Sequence, residues 1–99
     1  MATFICLLRL TNQGAKTCTD SPPRVTAAKE LLRKLGGEMK AFYATMGQYD
    51  GVVIAEAPDS TAMSKFCYKV AQVGAVTTET LPAFNEEEHR VILGALDKI

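Results

Sequence analysis

The stretch Thr45–Ile54 (TMGQYDGVVI) divides the chain into two halves that read alike. Gly47 and Gly51 bracket Gln48, Tyr49 and Asp50 between apolar runs, the pattern of a reversal between antiparallel strands. A strand, a helix and a strand are spelled ahead of it, and the same order follows. A strand-helix-strand unit written twice around a central hairpin leaves few ways to fold.

Thr3–Thr11 is apolar at both parities, so a strand here buries both of its faces and must be central. Val52–Ala57 is a β-branched run of the same kind. Glu38–Met46 starts polar and turns apolar, and Ala75–Leu81 alternates with threonine until Pro82 ends it; both read as edge strands. Asn12–Asp20 is a polar connection with room for one helical turn. Ser21-Pro22 then supplies a cap and a first-turn proline for a helix whose apolar stripe is Val25, Ala28, Leu31, Leu32 and Leu35, closed by Gly36-Gly37. After Pro58, Asp59 or Ser60 caps a second helix with the stripe Ala62, Met63, Phe66, Val70 and Val73, closed by Gly74. Asn85 and Glu88 form a capping box for a short terminal helix bearing Val91, Ile92, Ala95 and Leu96.

Right-handed crossovers turn this order into an α+β fold of ferredoxin-like βαββαβ topology. It predicts a four-stranded antiparallel sheet with the first and third strands central, both crossover helices on one face, and an extra C-terminal helix. The other face is then apolar and uncovered, which a monomer rarely tolerates. A second copy stacked sheet to sheet covers it as a dimeric α/β barrel, so a two-fold homodimer is expected, with larger assemblies of that dimer left open.

Totals bound the partners. At 99 residues, 47% hydrophobic and 22% charged, the sequence suits one globular domain over residues 1–99 with its own core. Eleven basic and eleven acidic residues cancel, and the longest basic feature is Arg33-Lys34, so no nucleic-acid partner is expected. The Phe4–Leu8 run lacks a basic flank and is broken by Arg9, and no apolar run nears the roughly 18 residues that cross a bilayer, so no membrane partner is expected either. Cys6, Cys18 and Cys67 are odd in number and lack metal-ligand spacing, which favours a reducing cytoplasm.

Two groups of residues could carry chemistry. Asp50 either ties the turn through backbone amides while Tyr49 packs its ring at the sheet end, or the two place a carboxylate beside a phenol at the mouth of a cleft between sheet and partner subunit. Arg9, Tyr43, Glu56 and Glu79 all fall on strands, where charge must be paired or wet. Either Arg9 pairs with Glu56 or Glu79, or these residues line a polar pocket in which Arg9 holds an anion or enolate. Parity puts Arg9 with Ile5 and Leu7, and Glu56 with Val52 and Ile54; whether those faces coincide stays open. Glu86-x-x-His89 is half of a di-metal motif without its second half, and His89 is a poor haem ligand, so neither metal nor cofactor is implied. The cysteines have no neighbouring base, and Met39, Met46 and Met63 read as core filler.

Several segments together resemble one family: Thr11–Gly14, Ser21-Pro22, Lys34–Gly37, Phe42–Met46, Met46–Val53 running into Glu56–Asp59, and Thr77–Leu81 with Phe84. In this order and spacing they make the chain similar to the GYD-domain family, named for its glycine, tyrosine and aspartate turn. The resemblance implies a dimeric α/β barrel of ferredoxin-like subunits in a bacterial cytoplasmic protein, and no particular reaction. It extends to a wider barrel superfamily of cofactor-independent monooxygenases, a lactone isomerase, haem enzymes and amino-acid-sensing domains, among which fold does not fix function. Gly51 departs from the family's usual apolar residue, which is expected to loosen the start of the third strand. The expected function is binding of an unidentified small molecule at the sheet and dimer interface, by Arg9, Tyr43, Tyr49 and Glu56. A cofactor-independent monooxygenase or isomerase, with Asp50 or Glu79 as base and Tyr49 or Tyr43 as donor, and a purely structural assembly module are the alternatives.

Overall fold

A computed structural model describes residues 1–99, and its framework is one antiparallel sheet. Strands β1 (Ala2–Leu10), β2 (Glu38–Ala44), β3 (Gly51–Ala57) and β4 (Val76–Ala83) lie in the order β2-β3-β1-β4. The two strands apolar at both parities are therefore the central pair. Their register sets Cys6 opposite Val53 and Ile5 opposite Ile54, while on the other side of β1 Cys6 faces Thr80 and Ile5 faces Leu81. Directly opposed residues share a face, so even positions of β1 and odd positions of β3 form one surface and the remainder form the other.

The first surface is the one the helices cover. Helix α1 (Asn12–Lys16) and a 3-10 turn at Cys18–Asp20 lead into α2 (Ser21–Lys34); α3 (Ser60–Val73) follows β3, α4 (Glu86–Gly94) follows β4, and a last 3-10 turn spans Leu96–Lys98. Leu32 of α2 and Met63 and Phe66 of α3 meet Phe4, Cys6, Val53 and Ala55 of the sheet in a continuous buried core. Asp59 caps α3 by accepting from the Ala62 amide at 2.9 Å, and Asn85 and Glu88 form the expected reciprocal box on α4. At α2 the cap position falls to Asp20, without a side-chain bond, because the preceding turn runs straight into the helix and Ser21 is already helical. Val73, in the last turn of α3, is exposed; Val70 is the last residue of that stripe packed on the core.

Three local irregularities adjust the sequence pattern. The pairing of β2 with β3 slips between Met39, opposite Ala55, and Ala41, opposite Ile54. That bulge puts Met39 and Phe42, three residues apart, on the same helix-facing side. Strand β2 then ends at Ala44, which leaves Met46 on the loop and almost fully exposed rather than in the core. Strand β4 continues through Pro82 to Ala83, with Pro82 opposite Phe4; at an edge an amide can be dispensed with where it would point to solvent.

Helix α4 has its apolar residues but nothing to bury them against: Val91, Ile92 and Leu93 are exposed, as is Leu96 in the turn that follows, with which the helix makes its main contacts. The helix projects, and the radius of gyration of 15.1 Å exceeds the roughly 13 Å of a compact chain this long. No helix is long and apolar enough to cross a membrane.

Two glycines differ sharply in what they permit. Gly14, buried in α1, lies against the start of β4, where a Cβ would come within 1.9 Å of the Ala75 carbonyl oxygen. Gly51 is buried and paired with both Leu8 and Ala44, so the start of β3 is not loosened; a Cβ there would meet Leu8 and Phe42 side chains at 3.4 Å, an ordinary contact. Gly14→Ala is expected to destabilise by about 2–3 kcal/mol through forced backbone movement. Gly51→Ala is expected to gain about 0.5 kcal/mol from a stiffer unfolded chain. Urea denaturation of the two variants checks both.

Candidate functional site

The connection between β2 and β3 is stitched at both ends. The Thr45 amide donates to the Asp50 carbonyl at 3.0 Å and the Thr45 hydroxyl to the Tyr49 carbonyl at 2.6 Å, while Gly47 takes a φ of 106° that other residues resist. Asp50 fastens the loop to β1: its amide donates to the Leu8 carbonyl at 2.7 Å, and its Oδ2 accepts from the Leu10 amide at 2.8 Å. Asp50 thus ties the turn.

Fixing Asp50 on β1 sets Tyr49 beside Arg9. The guanidinium carbon of Arg9 lies 5.0 Å from the centre of the Tyr49 ring, and its Nε donates to the Gln48 carbonyl at 2.9 Å. The Tyr49 hydroxyl in turn donates to Glu79 Oε2 at 3.1 Å. Arg9 and Glu79 make no direct ion pair; the phenol stands between them, stacked on a cation at its face and bonded to an anion at its tip. At an exposed site the cation–π contact is worth about 0.5–1 kcal/mol. The cluster sets a cation, a phenol and a carboxylate side by side at the rim of the sheet.

Register resolves the question of faces. Leu7 lies opposite Val52 and Thr3 opposite Glu56, so Arg9 and Glu56 share the face away from the helices. They sit at opposite ends of it, six residues or about 20 Å along the strand. Glu56 lies opposite Glu38, which itself pairs with Lys40 at 3.6 Å. Tyr43 projects from the same face opposite Val52 and is exposed. The structure therefore brings Arg9, Tyr49 and Glu79 together, with Tyr43 across the sheet and Glu56 apart. Between these polar ends the face carries Ile5, Leu7, Val52, Ile54 and Leu81, with no layer of the chain over them.

Two hollows lie on the helix side instead. A cavity of about 200 Å³ between α2, α3 and the sheet is lined by Leu31, Phe42, Val53, Phe66 and Val70, and by Arg24 and Lys69. A surface pocket of about 440 Å³ beside β4 is lined by Cys67 and hydroxyl side chains. Asp50 is among the residues lining the first, while neither includes Arg9, Tyr43, Tyr49, Glu56 or Glu79. His89 is exposed on α4, where Arg90 pairs with Glu86 at 3.5 Å and Glu87 at 2.6 Å.

The sequence reading missed one cluster. Cys6, Cys67 and Thr80 converge under the sheet, and Cys18 stays apart and exposed. Cys67 is drawn down to about 6, first by the neighbouring Cys6 thiol and also by the Thr80 and Thr78 hydroxyls, against the opposing effect of burial. Cys6 is pushed well above the ordinary thiol range by the neighbouring Cys67 and by burial. The shared parity of Cys6 with Phe4 and Leu8 was legible as a core signal, but no linear motif links it to a cysteine on α3.

Asp50→Ala is expected to cost about 1 kcal/mol by leaving the Leu10 amide to water, while Asp50→Asn, which keeps an acceptor, stays within a few tenths. Denaturation midpoints of the two variants check this.

The chain is similar to known proteins in sequence and in overall fold. A Thermus thermophilus protein named glutamine synthetase and cystathionine beta-lyase binding protein is 39% identical over 84 residues, covering 84% of this chain and 88% of that one. The crystal structure of TTHA0845, also from Thermus thermophilus, superposes with a TM-score of 0.55 at 25% identity, over 86% of this chain and 95% of the other. The GYD domain model matches residues 4–93, nearly the whole length, and the chain belongs to the GYD-domain family.

Proposed function

We propose that the chain is a protein-binding accessory module that works as a cytoplasmic homodimer. The observation that carries this is the open face of the sheet, where Ile5, Leu7, Val52, Ile54 and Leu81 form a continuous apolar surface with nothing over it. Stacking on the same face of a second copy removes that surface from water and builds a dimeric α/β barrel of two ferredoxin-like subunits, self-complementary about a two-fold axis. Helix α4 supplies a second apolar surface, free for the second copy or for another protein. The relative's name supports protein partners of the metabolic-enzyme class, and glutamine synthetase and cystathionine β-lyase are the two to try first. The three free thiols suit a reducing compartment.

A second reading places a small molecule in the dimer. Arg9, Tyr43, Tyr49 and Glu56 lie on the face that would be enclosed, and the stacked Arg9–Tyr49–Glu79 cluster offers a cation, a phenol and a carboxylate at its rim. An enzymatic version of this reading fits Glu79 as base better than Asp50, whose Oδ2 already holds the Leu10 amide.

Light scattering at micromolar concentration is expected to give about twice the 10.7 kDa chain mass, and Ile54→Glu to shift the population to monomer. A monomeric wild type defeats the proposed dimer. The immobilised wild-type protein is expected to bind purified glutamine synthetase or cystathionine β-lyase of the same source saturably; binding to neither removes the enzyme partners. Tyr49→Phe, which deletes the bond to Glu79 and keeps the ring, is expected to leave the dimer intact.

A further inference from the structure

Cys6 and Cys67 come from different layers, a central strand and a covering helix, and Thr80 of β4 joins them. Its Oγ1 lies 3.1 Å from Cys67 Sγ and donates to Cys6 Sγ at 3.6 Å. Sheet register explains the meeting, since Cys6 and Thr80 are directly opposed on the helix-facing surface and α3 lays Cys67 over both. The two sulfurs differ in access. Cys6 is fully buried, whereas Cys67 is half-buried and lines the 440 Å³ surface pocket with Ser64, Tyr68, Thr78 and Thr80. The accessible thiol thus opens onto a pocket partly lined by hydroxyl side chains, with Thr80 in contact and a second thiol behind it.

We infer that Cys67 is a site of reversible oxidation by small hydroperoxides, and that Cys6 is the thiol that resolves the oxidised form. In the first step the Cys67 thiolate attacks the terminal oxygen of the hydroperoxide. The S–O bond forms as the O–O bond breaks; sulfur gives up two electrons and the hydroperoxide takes them. The terminal oxygen keeps its proton, leaving Cys67 as a sulfenic acid, and the departing alkoxide takes up a proton equivalent to the one Cys67 lost. In the second step the Cys6 sulfur attacks the Cys67 sulfur, the S–O bond breaks, and the Cys6 proton leaves with the hydroxyl as water. A Cys6–Cys67 disulfide remains, which an external dithiol reduces. The same geometry favours this division of labour: the neighbouring Cys6 thiol draws Cys67 down to about 6 while Cys6 itself is pushed up, so the pocket-facing sulfur is the first of the two to ionise.

The test uses the full chain, reduced and then exposed to hydrogen peroxide or cumene hydroperoxide. The expected product is the intact chain short of two hydrogens, with a peptide pair joined through Cys6 and Cys67 and with Cys18 still open to alkylation. In Cys6→Ser the sulfenic acid of Cys67 is expected to persist and be trapped by dimedone; in Cys18→Ser the internal disulfide still forms. A readout free of any variant is the pH profile of Cys67 alkylation in the native protein, mapped by peptide. Its rate should reach half its plateau near the value of about 6. Oxidation confined to Cys18, disulfides only between chains, or a profile centred on the ordinary thiol value of about 8.5 would each overturn the inference.

Discussion

Where β1 pairs with β3, Phe4, Cys6, Val53 and Ala55 point toward the helices and Ile5, Leu7, Val52 and Ile54 point away, and neither set tolerates water. The first set is satisfied within the chain by Leu32, Met63 and Phe66. The second is not, since both crossover helices lie on one side. This asymmetry, and no particular polar residue, links the fold to the proposed function: a sheet apolar on both sides but covered on one calls for another protein surface.

The family's signature turn serves the same arrangement. Asp50 commits its carboxylate to the Leu10 amide and its own amide to the Leu8 carbonyl, which prolongs the central pairing past the end of β3. Tyr49 is the residue that this leaves over. With its ring under Arg9 and its hydroxyl on Glu79, it crosses from the hairpin to β4 over the end of β1 and closes one end of the open face. The tyrosine and the aspartate of the signature thus have separate roles, one at the rim of a surface and one inside the scaffold.

Most of the scaffold was legible in the residues because its signals are local. The two-sided apolar runs marked the central strands, Asp59 and Asn85 announced their caps, and Gly74 and Gly36 closed their helices. What was not legible depends on pairing between distant strands. The slip at Lys40 that puts Met39 and Phe42 on one side, the passage of β4 through Pro82 and the exposure of Met46 all follow from register, which alternation within one strand does not specify. The same holds for the site. Parity placed Arg9 and Glu56 on definite faces of their own strands, but only the antiparallel register shows that the faces coincide and that the two residues occupy opposite ends. The stripe of α4 was correctly read as apolar; its destination lies outside the chain's own contacts.

Strand β1 is a single layer of backbone with different duties on its two sides. Cys6 sits in the interior between Ile5 and Leu7, which belong to the uncovered surface, and successive side chains of a strand are coupled through one peptide plane. The sulfur is therefore separated from the uncovered apolar surface by the thickness of one polypeptide. Any sideways displacement of the strand would carry the side chains of both faces with it.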